Sequence, residues 1–202
     1  MISDQLRRWT RWLVEPIARA LHRLGVTPNL LTVLGFLLSL ANAWLLATGH
    51  MRLGGALILA FSALDAFDGT LARLTGQATT FGAFLDSVLD RFSEAALFFG
   101  LLIYFARPGH IEEVLLVYAA LVGSQMVSYA RARAEGLGLR CQNGWFTRVE
   151  RIIVLSLGLL LNWVRPALWI LAVLTNLTAL QRMAEVYRLT RQSSPGPAKT
   201  GE

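Results

Sequence analysis

With 202 residues, 54% of them hydrophobic and 16% charged, the chain has the length of one domain but is too apolar to hide its surface in a soluble fold. Counting Gly in place of Tyr brings the apolar share to about 60%, against about 45–50% for soluble domains, and the mean hydropathy is +0.49. The net charge of +6 comes entirely from Arg apart from Lys199 and sits beside apolar runs, so membrane lipids and phosphates are the expected partners and nucleic acid is not.

The first 23 residues place Trp9, Trp12, Leu13, Ile17 and Leu21 at helical spacing among five arginines. They lack the compact apolar core and cleavage site of a signal peptide. The pattern is that of an amphipathic juxtamembrane helix in the interface, bent or divided at Pro16. Six apolar runs follow, each read against the roughly 20 residues that a spanning helix needs. They are Leu30–Thr48, Leu53–Leu74, Phe81–Phe105, about Ile111–Ala130, Ile152–Trp163 extended at its N-terminal end, and Pro166–Val186. Gly49, Gly76, Pro108-Gly109, Gly136 with Gly138, and Arg165-Pro166 mark the breaks. The expected fold is an all-α integral membrane protein with six transmembrane helices and an N-terminal interfacial helix. Residues 24–190 form its domain, and residues 191–202 form a disordered cytoplasmic tail.

Arginine placement orients the bundle. With the N-terminus cytoplasmic, 16 of the 19 basic residues fall on the cytoplasmic side, which leaves Arg52, Arg107 and Arg165 opposite. An even number of spans then puts both termini in the cytoplasm of a multi-pass plasma-membrane protein. Cys141 is the only cysteine, and His22, His50 and His110 share no ligand spacing. Carboxylates are therefore the candidate metal ligands, and these favour Mg²⁺, Mn²⁺ or Ca²⁺ over zinc.

The stretch from Asp65 to Asp90 concentrates those carboxylates. At 100° per residue, Asp68, Gly69 and Ala72 lie within about 60° of Asp65. On the next span Gly82, Asp86 and Asp90 share a face that Ser93 continues and Glu94 borders. Two antiparallel helices could turn these faces together into one acidic cavity at the cytoplasmic side. An acid at mid-span costs roughly 2.5–3.5 kcal/mol, and four acids repel one another. A pair of divalent cations would offset both effects, in a two-metal arrangement suited to phosphoryl transfer. Arg73 adds a fixed fork for phosphate. A cation channel or carrier, which needs no enzyme chemistry, is the competing class.

Asp65-x2-Asp68-Gly69-x2-Ala72-Arg73-x8-Gly82-x3-Asp86-x3-Asp90 resembles the signature of the CDP-alcohol phosphatidyltransferases at all eight specified positions. GVTPNLLT at Gly25–Thr32 is similar to the family's entry into its first span. The resemblance implies two Mg²⁺ ions, with Mn²⁺ as a substitute, held by Asp65, Asp68, Asp86 and Asp90. It also implies Asp90 as general base, and Asn29, Thr32, Gly69, Arg73 and Thr79 as contacts of the CDP-lipid donor. The implied reaction is attack of an alcohol on a CDP-lipid with release of CMP, in a homodimer.

The stretch Ser128–Arg151, read as the cytoplasmic loop between the fourth and fifth spans, narrows the acceptor. Its S-Y-x-[KR]-A-R-A-E pattern and the later Gly144-x3-Arg148-x2-Arg151 resemble the subgroup making phosphatidylinositol phosphate or archaetidylinositol phosphate from inositol 1-phosphate. At Trp145–Thr147 the chain reads WFT where that subgroup more often has Ile-Ala-Glu. By this resemblance Ser128, Arg131, Arg133, Arg148, Arg151 and Arg182 are expected to bind the phosphate of a small-alcohol acceptor. Glycerol 3-phosphate is the runner-up. Glu94 is left between supporting the metal site and pairing with an arginine.

Overall fold

The computed structural model describes residues 26–62, 79–139 and 144–193. The expected N-terminal helix, the first acidic cluster with Asp65, Asp68, Gly69 and Arg73, Cys141 and nearly all of the tail lie outside the described residues. All the regular structure described is helical: α1 (Pro28–Ala47), α2 (Met51–Ser62 as far as it is described), α3 (Thr80–Phe105), α4 (Ile111–Gly136), α5 (Arg148–Leu160) and α6 (Val164–Ser193). Helices α1, α4 and α6 are long and apolar enough to cross a membrane, and the described part of α2 is a shorter apolar helix. Helix α3 has the length but carries Asp86, Asp90, Arg91 and Glu94.

Local chemistry sets the helix ends. The Thr27 side chain accepts from Leu30 N at 3.3 Å, and Pro28 follows in the first turn of α1. Thr79 caps α3 by accepting from Gly82 N at 2.9 Å. Thr147 and Glu150 form a reciprocal capping box that starts α5 at Arg148. The ends of α1, α4 and α5 share one motif, a left-handed residue flanked by two carbonyl-seeking amides. Gly49 N bonds Leu46 O while His50 N bonds Leu45 O. Gly138 and Leu139 bond Glu135 and Ala134 in the same way. Asn162, with φ 59°, bonds Leu159 as Trp163 bonds Gly158. Gly49 and Gly138 have φ of 91° and 78°, where a Cβ would be strained.

Three boundaries differ from expectation. Helix α4 continues from Ala130 to Gly136, so Arg131 and Arg133 ride on a helix rather than a loop. ARARAE is rich in helix formers, and Arg131 Nε donates to Glu135 Oε1 one turn away at 2.8 Å. The break after α5 falls at Asn162, and Pro166 sits inside the first turn of α6, where its missing N–H is no loss. Helix α6 runs to Ser193, past both Val186 and the expected start of the tail.

Packing pairs α1 with α3, α4 with α6, α5 with α6, and α3 with α4. Their centre holds Leu46, Phe98, Leu101, Val117, Leu168 and Leu171. The outward faces are just as oily: α1 alone exposes Leu30, Leu34, Leu37, Leu38, Leu40 and Trp44. Continuous apolar surface of this extent belongs against lipid. The interior, by contrast, takes in Asn42, Ser124, Arg151, Ser156, Thr175 and Arg182. With oil on both sides of each helix, close contact must come from small residues. A Cβ at Gly100 would overlap the Ala43 carbonyl of α1, and one at Gly123 would overlap Thr175 of α6.

Replacing Gly100 with Val should therefore force α1 and α3 apart. Overpacking of about 1–3 kcal/mol translates into a fall of about 5 °C in the unfolding midpoint of a chain this size. Gly136→Ala, where a new Cβ meets nothing within 4 Å, should leave the midpoint within about 1 °C. Thermal unfolding in detergent, followed by circular dichroism, measures both.

Candidate active site

Helix α3 carries the site. Asp86, Asp90, Ser93, Glu94 and Leu97 recur at spacings of three and four, so they share one stripe. Thr32, Gly35, Phe36, Ser39 and Asn42 make the facing stripe on α1. The two stripes enclose a cavity closed by Ser62 of α2 and by Arg148 and Arg151 of α5. Asn42 closes its deep end and donates from Nδ2 to Gly54 O at 3.1 Å, which fixes α1 to α2. Asn29 and Thr79 are not in the cavity lining; they sit at the starts of α1 and α3, where a Cβ on Gly82 would lie 2.9 Å from Asn29 Oδ1 and 3.0 Å from Thr79 Oγ1. Gly82 thus lets the start of α1 lie against the start of α3.

Two ion pairs join α3 to α5 like the rungs of a ladder. Arg148 donates to both oxygens of Asp90, at 2.5 Å and 2.7 Å. One turn deeper, Arg151 Nε donates to Glu94 Oε1 at 3.0 Å, and Ser124 Oγ of α4 donates to the same oxygen at 2.6 Å. The rungs differ in exposure. Arg148 is 38% exposed, whereas the Arg151 side chain is 3% exposed. Removing the partner of an enclosed charge costs about 3–5 kcal/mol, so the Glu94 rung is a substantial contributor to stability. The outer, bidentate rung is strong in geometry but reachable from solvent. Both arginines lie in the first turn of α5, where the helix dipole is also positive. Asp90, Glu94 and Glu150 answer that charge, and a further anion would be welcome there.

A second cavity of about 980 Å³ opens on the other side of the same ladder, between α3, α4, α5 and α6. Ser128, Arg131, Arg148, Arg151 and Arg182 all line it, together with Asp90. Arg182 is buried and donates from Nη1 to Val127 O at 2.5 Å. The loop before α5 closes over it, since a Cβ on Gly144 would lie 2.9 Å from Arg182 Nη2. Trp145 N donates to Gln181 Oε1 at 3.2 Å and ties that loop to α6. Arg133 is exposed on α4 and does not line this cavity.

The structure thus brings Asp86, Asp90 and Thr32 together in one cavity, and five of the six basic-site residues in its neighbour. Asp90, Arg148 and Arg151 belong to both. Asp65, Asp68, Gly69 and Arg73 lie outside the described residues, and among those described no three metal-ligating side chains cluster. Asp86 and Asp90, one turn apart on one face, offer the hard oxygen donors that a divalent cation such as Mg²⁺ or Mn²⁺ takes. Ser39, Asn42 and Ser124 are additions that sequence reading did not single out. For Ser39 and Asn42 the signal was present, since they continue the face of Thr32 at helical spacing. Ser124 gave none.

The sequence matches the CDP-alcohol phosphatidyltransferase family over residues 25–180. It is 38% identical over 183 residues to the archaetidylinositol phosphate synthase of Pyrococcus horikoshii, covering 90% of this chain and 95% of that one. It is 39% identical over 198 residues to the phosphatidylinositol phosphate synthase of Mycobacterium tuberculosis, covering 91% and 88%. The fold is similar to the crystal structure of the Mycobacterium tuberculosis synthase with CDP-DAG bound. The TM-score is 0.82 at 36% identity, over 94% of this chain and 98% of that chain. The same synthase in complex with manganese and citrate gives a TM-score of 0.81 at 36% identity, over 93% and 92%. The channel or carrier reading falls with these matches: the chain belongs to the CDP-alcohol phosphatidyltransferase family and is a phosphotransferase enzyme.

Proposed function

We propose that the chain transfers the phosphatidyl group of CDP-diacylglycerol to a hydroxyl of inositol 1-phosphate, releasing CMP and forming phosphatidylinositol phosphate. One observation carries this reading: Asp90 lines both the acidic cavity and the arginine-lined one. A carboxylate at that junction faces a donor on one side and a phosphorylated alcohol on the other. The relatives named above, at 38–39% identity, support the choice of acceptor.

The acidic cavity takes the donor, with Asn29, Thr32, Gly69, Arg73 and Thr79 around the cytidine and its diphosphate. Asp65, Asp68, Asp86 and Asp90 hold two Mg²⁺ ions, for which Mn²⁺ can substitute. The metal, when bound, neutralises the diphosphate and stabilises the departing CMP. Ser128, Arg131, Arg148, Arg151 and Arg182 receive the acceptor phosphate, with Arg133 at the rim. The acceptor hydroxyl gives its proton to Asp90 as its oxygen bonds the lipid-linked phosphorus. The bond from that phosphorus to the CMP oxygen breaks, and CMP leaves with the electron pair. Arg148 links the two events. An acceptor phosphate competes with Asp90 for this exposed guanidinium and so frees the carboxylate to accept the hydroxyl proton.

The membrane arrangement follows from the arginine bias. The domain of residues 24–190 crosses the plasma membrane six times, with the active site and both termini in the cytoplasm. Residues 1–23 lie in the interface, the tail follows the end of α6 at Ser193, and the chain works as a homodimer.

Asp90→Asn should cut CMP release by about 10²–10⁴-fold while leaving the unfolding midpoint near that of the unaltered protein. Near-normal turnover in this variant would remove Asp90 as the base. Offered inositol 1-phosphate, glycerol 3-phosphate, free inositol and serine in separate reactions with CDP-diacylglycerol and Mg²⁺, the purified protein should release CMP only with the first. Turnover with glycerol 3-phosphate alone would keep the family chemistry and reassign the acceptor.

A further inference from the structure

Glu94 belongs to the acidic stripe of α3, yet neither the metal set nor the proton transfer uses it. We propose that Glu94, locked by Ser124, is a positioning residue that aims the Arg151 guanidinium at the acceptor phosphate. The proposal rests on the acceptor reading above and deepens it.

The geometry of the contact is specific. Glu94 Oε1 accepts from Arg151 Nε at 3.0 Å, and Oε2 takes a longer contact from Nη2 at 3.5 Å. The carboxylate therefore docks along one edge of the guanidinium. A guanidinium is a rigid plane with five N–H donors, so occupying the Nε edge turns Nη1 and the outer hydrogen of Nη2 away from Glu94. That outer edge is the one suited to two parallel bonds with a phosphate. Arg151 lines the arginine-rich cavity together with Ser128, Arg131 and Arg182.

Charge balance alone would not need Ser124. A lone carboxylate beside Arg151 could rotate and still neutralise it. Ser124 is fully buried on α4 and donates to the same Oε1 at 2.6 Å, which fixes the carboxylate's rotamer and with it the plane of the arginine. Three helices thus converge on one guanidinium: α4 through Ser124, α3 through Glu94 and α5 through Arg151. A contact that only held helices together would need no guanidinium edge left over beside a cavity lined by other phosphate-binding side chains, whereas a phosphate receptor would.

The test separates aim from adhesion. Inositol 1-phosphate is titrated calorimetrically into the full chain in lipid nanodiscs, and both substrates' KM and the kcat are measured in parallel. Glu94→Gln should weaken inositol 1-phosphate binding and raise the acceptor KM by about tenfold. The donor KM, and kcat at saturating acceptor, should change by clearly less than the acceptor KM does. Ser124→Ala should move acceptor binding in the same direction by about threefold. In an Arg151→Gln background, Glu94→Gln should add less than about twofold, because the residue it positions is gone. Unchanged acceptor binding in Glu94→Gln, an equal change in the donor KM, or independent effects in the double variant would each overturn the proposal. If Glu94→Gln does not fold, Ser124→Ala and its double variant with Arg151→Gln decide in its place. Failure of the unaltered chain to bind inositol 1-phosphate would bring down the acceptor reading, and this proposal with it.

Discussion

An arginine enclosed in an oily bundle must have a partner, and the Glu94–Arg151 contact is where this chain meets that demand. The Arg151 side chain is only 3% exposed, and its carboxylate comes from a helix 57 residues earlier. Losing such a partner would cost a sizeable part of the 5–15 kcal/mol that typically separates folded from unfolded chains. The pair therefore sets the register of α3 against α5. Once it is made, Asp90 and Arg148 necessarily face one another one turn away, and a cavity opens on each side of the ladder. The two halves of the site meet at this one ladder.

The rest of the bundle holds that register by close approach. Gly100 against Ala43 fixes α1 to α3, so the wall that carries Thr32, Ser39 and Asn42 stays at a set distance from the acids. Gly123 against Thr175 does the same for α4 and α6, next to Ser124 and not far from the groove over Arg182. Gly55 would meet the Ser156 carbonyl if it had a Cβ, which brings α2 against α5. Where both solvent and core are apolar, the hydrophobic effect does little to choose one packing over another. Small residues and buried polar contacts make the choice instead.

Much of this could be read along the chain because it depends on neighbours in sequence. Apolar runs gave α1, α3 and the beginning of α4, and the left-handed glycines at 49 and 138 close their helices. The shared face of Asp86 and Asp90 follows from helical spacing alone. What escaped was either a competing local signal or a distant partner. Pro166 looked like a boundary, but in a first turn it costs nothing, while Asn162 took the left-handed turn usually given to glycine. Arg131 and Arg133 looked like loop cations, but a charge pair and good helix formers kept α4 going. Glu94 could not be assigned because its partners, Ser124 and Arg151, are 30 and 57 residues away. The capping role of Thr147 also accounts for the residue at the end of the unusual WFT segment, which starts α5 rather than reaching for a ligand.

The brevity of α5 has a consequence for the surrounding lipid. Thirteen residues make a rod about 20 Å long, against about 30 Å of hydrocarbon in a typical bilayer. In the proposed six-span arrangement, a rod of that length leaves about 10 Å of hydrocarbon unspanned beside the first turn of α5. Water and polar headgroups must follow the charged residues down, or the leaflet must thin to meet them. A lipid-borne phosphate and a water-soluble alcohol then meet in a dimple of the membrane. In that arrangement bilayer thickness, set by acyl chain length, would bear on how the two substrates reach the site.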